Sequence, residues 1–303
     1  MDHQVDRVIS TASSTSINVG PFAPSSPGTV GKFLLYASLF WAPKFGCSEE
    51  EMVPWIAKSY KQIDSKNFEI EIFDYVKDSK GNPITIDDVI WSINKSIEIG
   101  QFVDGGSNIV NMEKIDDYHM KMEIATDAPN TFAMLVTNAR LYIVNQKWWE
   151  GATDDEKQND PACTGPYTVK EFIPGSGATM VANDNYWQTD ENLRSVFAQQ
   201  PVDKMTYQII TEGNQATIAL QMGEVDLITT VGTSELGYFI NADGTVVDGY
   251  SAASSLSSQP VSLLFNMAED SNGDIFRDNL ALRQAICYGI DTQAICNIAR
   301  GGF

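Results

Sequence analysis

A mixed α/β fold is predicted by three features of the chain. Apolar and polar residues alternate over short stretches, as in Phe68, Ile70 and Ile72 against Glu69 and Glu71, which is the pattern of a strand with one wet face. Elsewhere apolar residues recur at helical spacing, most clearly Ile86, Ile90, Ile93 and Ile97. Between residues 205 and 229 a strand pattern, a helix pattern and a second strand pattern follow one another, the signature of an α/β unit. With 303 residues, the chain exceeds the size at which one hydrophobic core keeps growing, so two domains or an elongated lobe are expected.

Taken in order, residues 7–17 read as a strand entering a Pro-, Ser- and Gly-rich loop over 20–31, either a surface connector or part of a binding wall. Residues 32–41 predict an apolar helix and 49–60 a second short helical stretch. A strand around Phe68–Ile72 is followed by the turn cluster 78–83. Thr85 and Asp88 stand three apart, as a capping box requires, so a helix is expected over 86–98. Tyr118, Met120, Met122 and Ile124 alternate with His119, Lys121 and Glu123 and predict another half-exposed strand. A helix near 130–137, a strand at 141–144 and a polar loop at 151–160, a candidate subdomain boundary, come next. Strands are expected at 167–172, 179–183 and 205–210, the first two joined through Gly175-Ser-Gly177. Residues 214–222 form a helix stopped by Gly223, and 225–229 return as a strand. Another apolar strand is expected at 261–265, then helices at 279–288 and 292–299, the second capped by Asp291.

Hydrophobic residues make up 43% and charged residues 20% of the chain, values of a globular protein and too apolar for a disordered one. The 20 basic against 40 acidic residues give a formal charge of −20. Such a balance repels phosphate backbones and anionic headgroups, which argues against nucleic-acid binding. No run of about 18 apolar residues is present; the longest, 33–45, is broken by Ser38, Pro43 and Lys44. No charged-then-apolar leader precedes the first strand, as expected of a chain whose export signal has been removed. The cysteines Cys47, Cys163, Cys287 and Cys296 lack zinc-like spacing and allow three pairings if all are oxidised. Cys287 and Cys296 lie in helical patterns and read as small buried apolar residues.

Signatures of common catalytic sites are missing: no GxSxG, P-loop or GxGxxG is present, and the two histidines, His3 and His119, are remote from each other. A histidine-based metal site within this chain is therefore not expected. The Asp270-Ser-Asn-Gly-Asp274 stretch resembles a calcium loop only superficially. Setting Gly273 at the sixth position puts the first ligand on Ala268 and the twelfth on Asn279, where a carboxylate is needed. Tyr186-Trp187 and Trp148-Trp149 suggest sugar stacking, but packing of their loops is the stronger reading.

Several blocks fall in one order: Gly81-Asn-Pro-Ile-Thr-Ile-Asp-Asp88, Thr164-Gly-Pro-Tyr167, Asn185-Tyr-Trp187, Gly223-Glu-Val-Asp226, and Phe265-Asn266 with Leu282-Arg-Gln-Ala285 and Asp291. In this collinear arrangement the chain resembles the extracellular solute-binding proteins of the peptide/nickel family, family 5, the capture subunits of ABC importers. The resemblance implies an α/β clamshell of the periplasmic-binding-protein type II kind. Residues 1–33 and 163–266 would form the mixed-sheet core of the first lobe, and 34–162 an inserted α+β subdomain. Residues 267–303 would hold the hinge crossing and first helices of a second lobe, most of which is missing. Ligand affinity would then be weak, and the helices over 279–299 would fray or dock their apolar side elsewhere.

The same resemblance implies no catalysis and no cofactor or metal, and an oligopeptide or other small polar solute as ligand. An oligosaccharide-binding member of the family is the alternative. ABC permease subunits are the implied partners of a monomer located outside the cell, as a surface lipoprotein or in the periplasm, and touching the membrane only through a lipid anchor. By position, Ser25, Ser26, Gly28, Phe102, Thr229, Thr230, Phe265 and Asn266 would face the cleft. For Ser25 to Gly28 a solvent loop, for Phe102 a core role and for Asn266 a hinge role are the competing readings. Rivals from other classes are a carboxylate-based glycosidase, which needs two carboxyls about 5–10 Å apart in a cleft, and a receptor or adhesin module.

Overall fold

The computed structural model describes residues 8–13, 19–22, 31–44, 46–138, 140–194, 196–253, 262–269 and 273–300. Two compact units divide the chain, Met1–Thr230 and Val231–Phe303. The first opens with β1 (Val8–Ser13), α1 (Lys32–Leu35), β2 (Phe40–Trp41), β3 (Val53–Pro54), β4 (Ala57–Gln62) and β5 (Asn67–Ile72). It continues through α2 (Ile86–Glu98), α3 (Val103–Gly106), β6 (Ile109–Lys114), β7 (His119–Ile124), α4 (Thr131–Val136), α5 (Gln146–Gly151) and α6 (Asp154–Asn159). It ends with β8 (Tyr167–Ile173), β9 (Gly177–Ala182), β10 (Lys204–Ile209), α7 (Gly213–Gln221) and β11 (Leu227–Ile228). The second unit carries α8 (Asp274–Arg277), α9 (Leu280–Gly289) and α10 (Thr292–Arg300).

Two larger sheets organise the first unit. Strands from its two ends build a five-stranded sheet, β11-β1-β10-β9-β8, and the intervening stretch supplies a four-stranded sheet, β4-β5-β7-β6. In the four-stranded sheet the alternation is realised as read: Phe68, Ile70, Met120, Met122 and Ile124 are buried in the larger core. On the opposite face the register places Lys61 beside Glu69, Glu69 beside Lys121, and Lys121 beside Glu113, a row of alternating charges across the sheet. α2 buries Ile86, Val89 and Ile93 in the same core. A second core under the five-stranded sheet gathers Tyr36, Tyr142, Tyr167, Met180 and Tyr207.

The capping box at α2 is present as read. The Thr85 N–H donates to Asp88 Oδ2 at 2.8 Å, and the Thr85 hydroxyl lies 3.1 Å from the same oxygen. Asp88, 6% exposed, also accepts the Gln146 N–H at 2.8 Å through Oδ1, so one carboxylate holds the start of both α2 and α5. Asp88→Ala is expected to cost about 2 kcal/mol, more than an ordinary cap, because it strands two backbone donors at once. Urea unfolding with an unchanged m-value checks this.

Several expectations are corrected. The helix read over 32–41 stops at Leu35, and the chain then runs extended. Its hydrogen bonds go to distant segments: Gly165 N–H to Leu35 O, Ala37 N–H to Thr164 Oγ1, and Ile143 N–H to Ala37 O. A run buried on all sides lets tertiary partners replace the i→i−4 ladder. Over 49–60, only a 3₁₀ turn at Glu49–Glu51 is helical; β3 and β4 follow, and β4 pairs with β5. Residues 141–144 are buried without forming a strand. The expected loop at 151–160 contains α6, capped by Thr153 and Glu156, a Thr-x-x-Glu signal visible in the sequence. Residues 262–268 form no strand, and Leu264 is 87% exposed.

Cys287 and Cys296 are exposed, not buried as read, whereas Cys47 and Cys163 are buried. Burial pushes the Cys163 thiol up to about 12 and also raises that of Cys47. Maleimide at pH 8 is expected to modify Cys287 and Cys296 and spare the other two, as read by peptide mass mapping, because the thiolate is the reactive form.

Candidate functional site

β1 lies between β10 and β11 and runs parallel to both, with Ser13 opposite Ile209 and Ala12 opposite Ile228. Three carboxyl ends therefore share one edge. From that edge β10 leads into α7, and α7 returns the chain to β11, a crossover around the central strand. In open α/β sheets this edge is where loops diverge and ligands bind. Ile210 N–H donates to Ser13 O at 2.9 Å and Thr229 N–H to Ala12 O at 3.2 Å, so main-chain bonds continue to the edge itself.

The block Gly223-Glu-Val-Asp226 builds this edge from behind. Gly223, at φ 72°, ends α7 in the left-handed conformation that glycine adopts without steric cost. Val225 packs with Ala12, Ala216 and Ala219. Asp226 grips β1 through both main-chain groups of Ser10, its Oδ2 accepting the Ser10 N–H at 2.6 Å and its own N–H donating to Ser10 O at 2.7 Å.

The other blocks are structural as well. Thr164, fully buried, accepts the Ala37 N–H at 3.0 Å and donates to Ile143 O at 2.8 Å. Tyr167 donates to Val202 O at 2.8 Å. Trp187 donates to Thr164 O at 2.9 Å, and Tyr186 accepts from Trp55 Nε1 at 3.2 Å. Both rings are under 10% exposed, which decides for packing over open stacking platforms. In the second unit, the Arg283 guanidinium closes the end of α8 through Phe276 O and Arg277 O, and Asp291 Oδ1 accepts the Ala294 N–H at 2.9 Å to cap α10.

Of the residues expected to face a ligand, Thr229 and Thr230 sit exposed at the end of β11. Ser25, Ser26 and Gly28 lie outside the described residues, in the segment that follows β1. Phe102 takes the competing core reading: its ring is 1% exposed in the larger core, against Gly105, and does not face a cleft. Phe265 and Asn266 belong to the second unit. Phe265 packs its ring 5.4 Å from Phe276, and Asn266, exposed, accepts the Ala268 N–H at 3.1 Å through Oδ1. Sequence reasoning missed Ser13, Ile210 and the start of α7 as edge residues, because which strands lie side by side and parallel is not written in any one of them. Elsewhere in the first unit, burial lowers the Lys32 ammonium to about 8 and raises the Tyr207 hydroxyl, in the second core, to about 12. Among the described residues no three His, Cys, Asp or Glu side chains cluster to hold a metal, and no helix is long and apolar enough to cross a membrane.

This mixed α/β architecture is shared with solved periplasmic binding proteins. The NikZ structure from Campylobacter jejuni, a complex with Ni(L-His), superimposes with a TM-score of 0.73 at 21% identity, covering 96% of this chain and 54% of that one. The periplasmic binding protein DppA from Helicobacter pylori, in complex with the peptide STSA, gives 0.62 at 18% identity over 77% of this chain and 48% of its own. The profile of the bacterial extracellular solute-binding proteins, family 5 Middle, matches residues 51–303, and the chain belongs to that family. The oligopeptide-binding protein AppA of Bacillus subtilis is 21% identical over 248 residues, 79% of this chain and 42% of AppA. The chain thus spans about half the length of these relatives.

Proposed function

We propose that this chain is part of a solute-binding protein of an ABC importer that captures an oligopeptide outside the cell and presents it to a membrane permease. Its membership of the solute-binding family carries the reading; the relatives named for oligopeptides supply the ligand class. The carboxyl edge of β10, β1 and β11 gives the physical means, since an extended peptide is held by main-chain groups while its side chains vary. In this reading Thr229 and Thr230, with the segment that holds Ser25, Ser26 and Gly28, contact the solute, which is bound and not transformed. The protein acts as a monomer at the outer face of the membrane.

Thermal melting of the chain against di- to octapeptides, with Ni(II)–histidine and maltotriose as comparison arms, tests this. A ligand at about a hundredfold over its dissociation constant adds about 2.7 kcal/mol. Stabilisation by peptides of one length class, reduced by Thr230→Pro, is expected. No shift with any peptide ends the peptide assignment, and a shift with nickel–histidine alone moves it to metal complexes.

A further inference from the structure

A second cleft of about 690 Å³ lies within the first unit, between the turn around Ser79–Gly81 and the Asp184–Thr189 segment. Tyr75 is its one large exposed ring, 41% accessible. The rings of Phe73 and Trp187 stand 5.2 and 6.0 Å from it, tilted by 41° and 52°, so Tyr75 is braced by two neighbours while part of it stays open to solvent. Lys77, Asp184, Asn185 and Thr189 line the same cleft and are exposed. Neither Lys77 nor Asp184 joins an ion pair among the described residues.

Both walls are rigid. In the turn, Asp78, 1% exposed, accepts the N–H groups of Lys80 and Asn82, each at 2.9 Å, and the Asn82 amide at 2.9 Å. Ser79 N–H donates to Cys163 O, and Cys163 N–H donates to Ser79 Oγ. The facing wall is tied one residue further on, through Trp187 and Thr164 O. Neighbouring residues of one buried segment thus hold both sides of the cleft in register, the condition for a preorganised site.

The main chain has little left to offer a ligand here. Asp78, Gly81 and Ile84 donate their N–H groups within the turn, and Asn185 and Tyr186 donate theirs to Asn183. An extended peptide, which pairs through main-chain groups, would find only the single bridge of Lys77 with Pro83 and no longer strand among the lining residues. What remains is an aromatic face ringed by side-chain donors and acceptors of both charges. That set suits a ring with an apolar face and a rim of hydroxyls.

We infer that this cleft binds a pyranose sugar, its C–H face on Tyr75 and its hydroxyls on Lys77, Asp184 and Asn185, independently of the edge at Thr229. Cellotriose, maltotriose and N,N′,N″-triacetylchitotriose are the probes, titrated into the intact chain while intrinsic tryptophan fluorescence, to which Trp187 contributes, is followed. A saturable change with at least one, with a dissociation constant in the millimolar range, is expected. Tyr75→Ala should weaken it about tenfold while the protein still melts cooperatively, a few degrees lower for the lost ring contacts, and Tyr75→Phe should retain both binding and melting temperature, because stacking needs the ring and not the hydroxyl. Co-sedimentation with insoluble chitin or cellulose, lost in Tyr75→Ala, would show that the sugar belongs to a polymer; a response to soluble trisaccharides alone would show a free one. No saturation by any probe up to about 50 mM, a response unchanged in Tyr75→Ala, or peptide stabilisation abolished by that variant would overturn the assignment.

Discussion

Gly165→Ala is expected to destabilise the first unit by about 4 kcal/mol or more, the exceptional range reserved for severe steric or packing faults. A Cβ at this position would collide with Leu34 O and stand 2.6 Å from Leu35 C and 2.8 Å from Tyr36 N. All three are backbone atoms, so no side-chain rotation relieves the contact. The residues involved end α1 and begin the extended segment after it, a stretch itself fixed by the Gly165 N–H and the Thr164 hydroxyl. Relief would have to break those bonds and leave buried donors unsatisfied. Loss of the cooperative unfolding transition at 25 °C, or a melting temperature lowered by well over ten degrees, is the measured result. Gly151→Ala is the control, since nothing lies within 4 Å of its added Cβ, and it should leave the transition within about 0.5 kcal/mol of the parent.

Phe132→Ala is the second large effect. Phe132 is 1% exposed and stacks on Phe68 with ring centroids 3.9 Å apart and planes at 3°, while Tyr60 stands 5.3 Å away on another side. Removing the ring takes the transfer free energy of a buried aromatic and leaves a cavity between β5 and α4. The expected cost is about 3–5 kcal/mol. Phe132→Leu, which fills most of the space, should cost under half of that. Urea denaturation of the three proteins gives the comparison, and equal losses for Ala and Leu would show that stacking geometry and not volume carries the stability.

What the sequence disclosed, and what it withheld, follows from where each element finds its partners. α2 was legible because its cap, Thr85 with Asp88, and its apolar stripe are both local. β5 and β7 were legible because one face meets water and the alternation records it. The stretch 32–41 misled for the opposite reason: enclosed on every side, it carries no period, and its conformation is dictated by Thr164 and Gly165 far along the chain. β6 was missed because its pairing shifts between Ile109 and Asn111, which breaks the alternation. For the site, Thr229 and Thr230 could be placed from the helix stop at Gly223 and the strand after it. That β1 would stand between β10 and β11 could not, since parallel neighbours arise from crossovers and no short pattern specifies them. The motif blocks pointed to the right family, yet among the described residues Thr164, Tyr167, Trp187, Val225 and Asp226 serve the scaffold. A recurring block therefore identified the frame of the protein more readily than the surface that meets its solute.

The central position of β1 bears on how the chain reaches its fold. Along the chain β1 precedes the four-stranded sheet, whose strands lie between residues 57 and 124, and its two neighbours follow that sheet. Early in synthesis the smaller sheet can close while β1 stays open, and only the arrival of β10 and β11 completes the body. Because that long-range closure is slow compared with local pairing, β1 stays without its sheet neighbours in the nascent chain until β10 and β11 arrive, and the five-stranded sheet is the later of the two to lock.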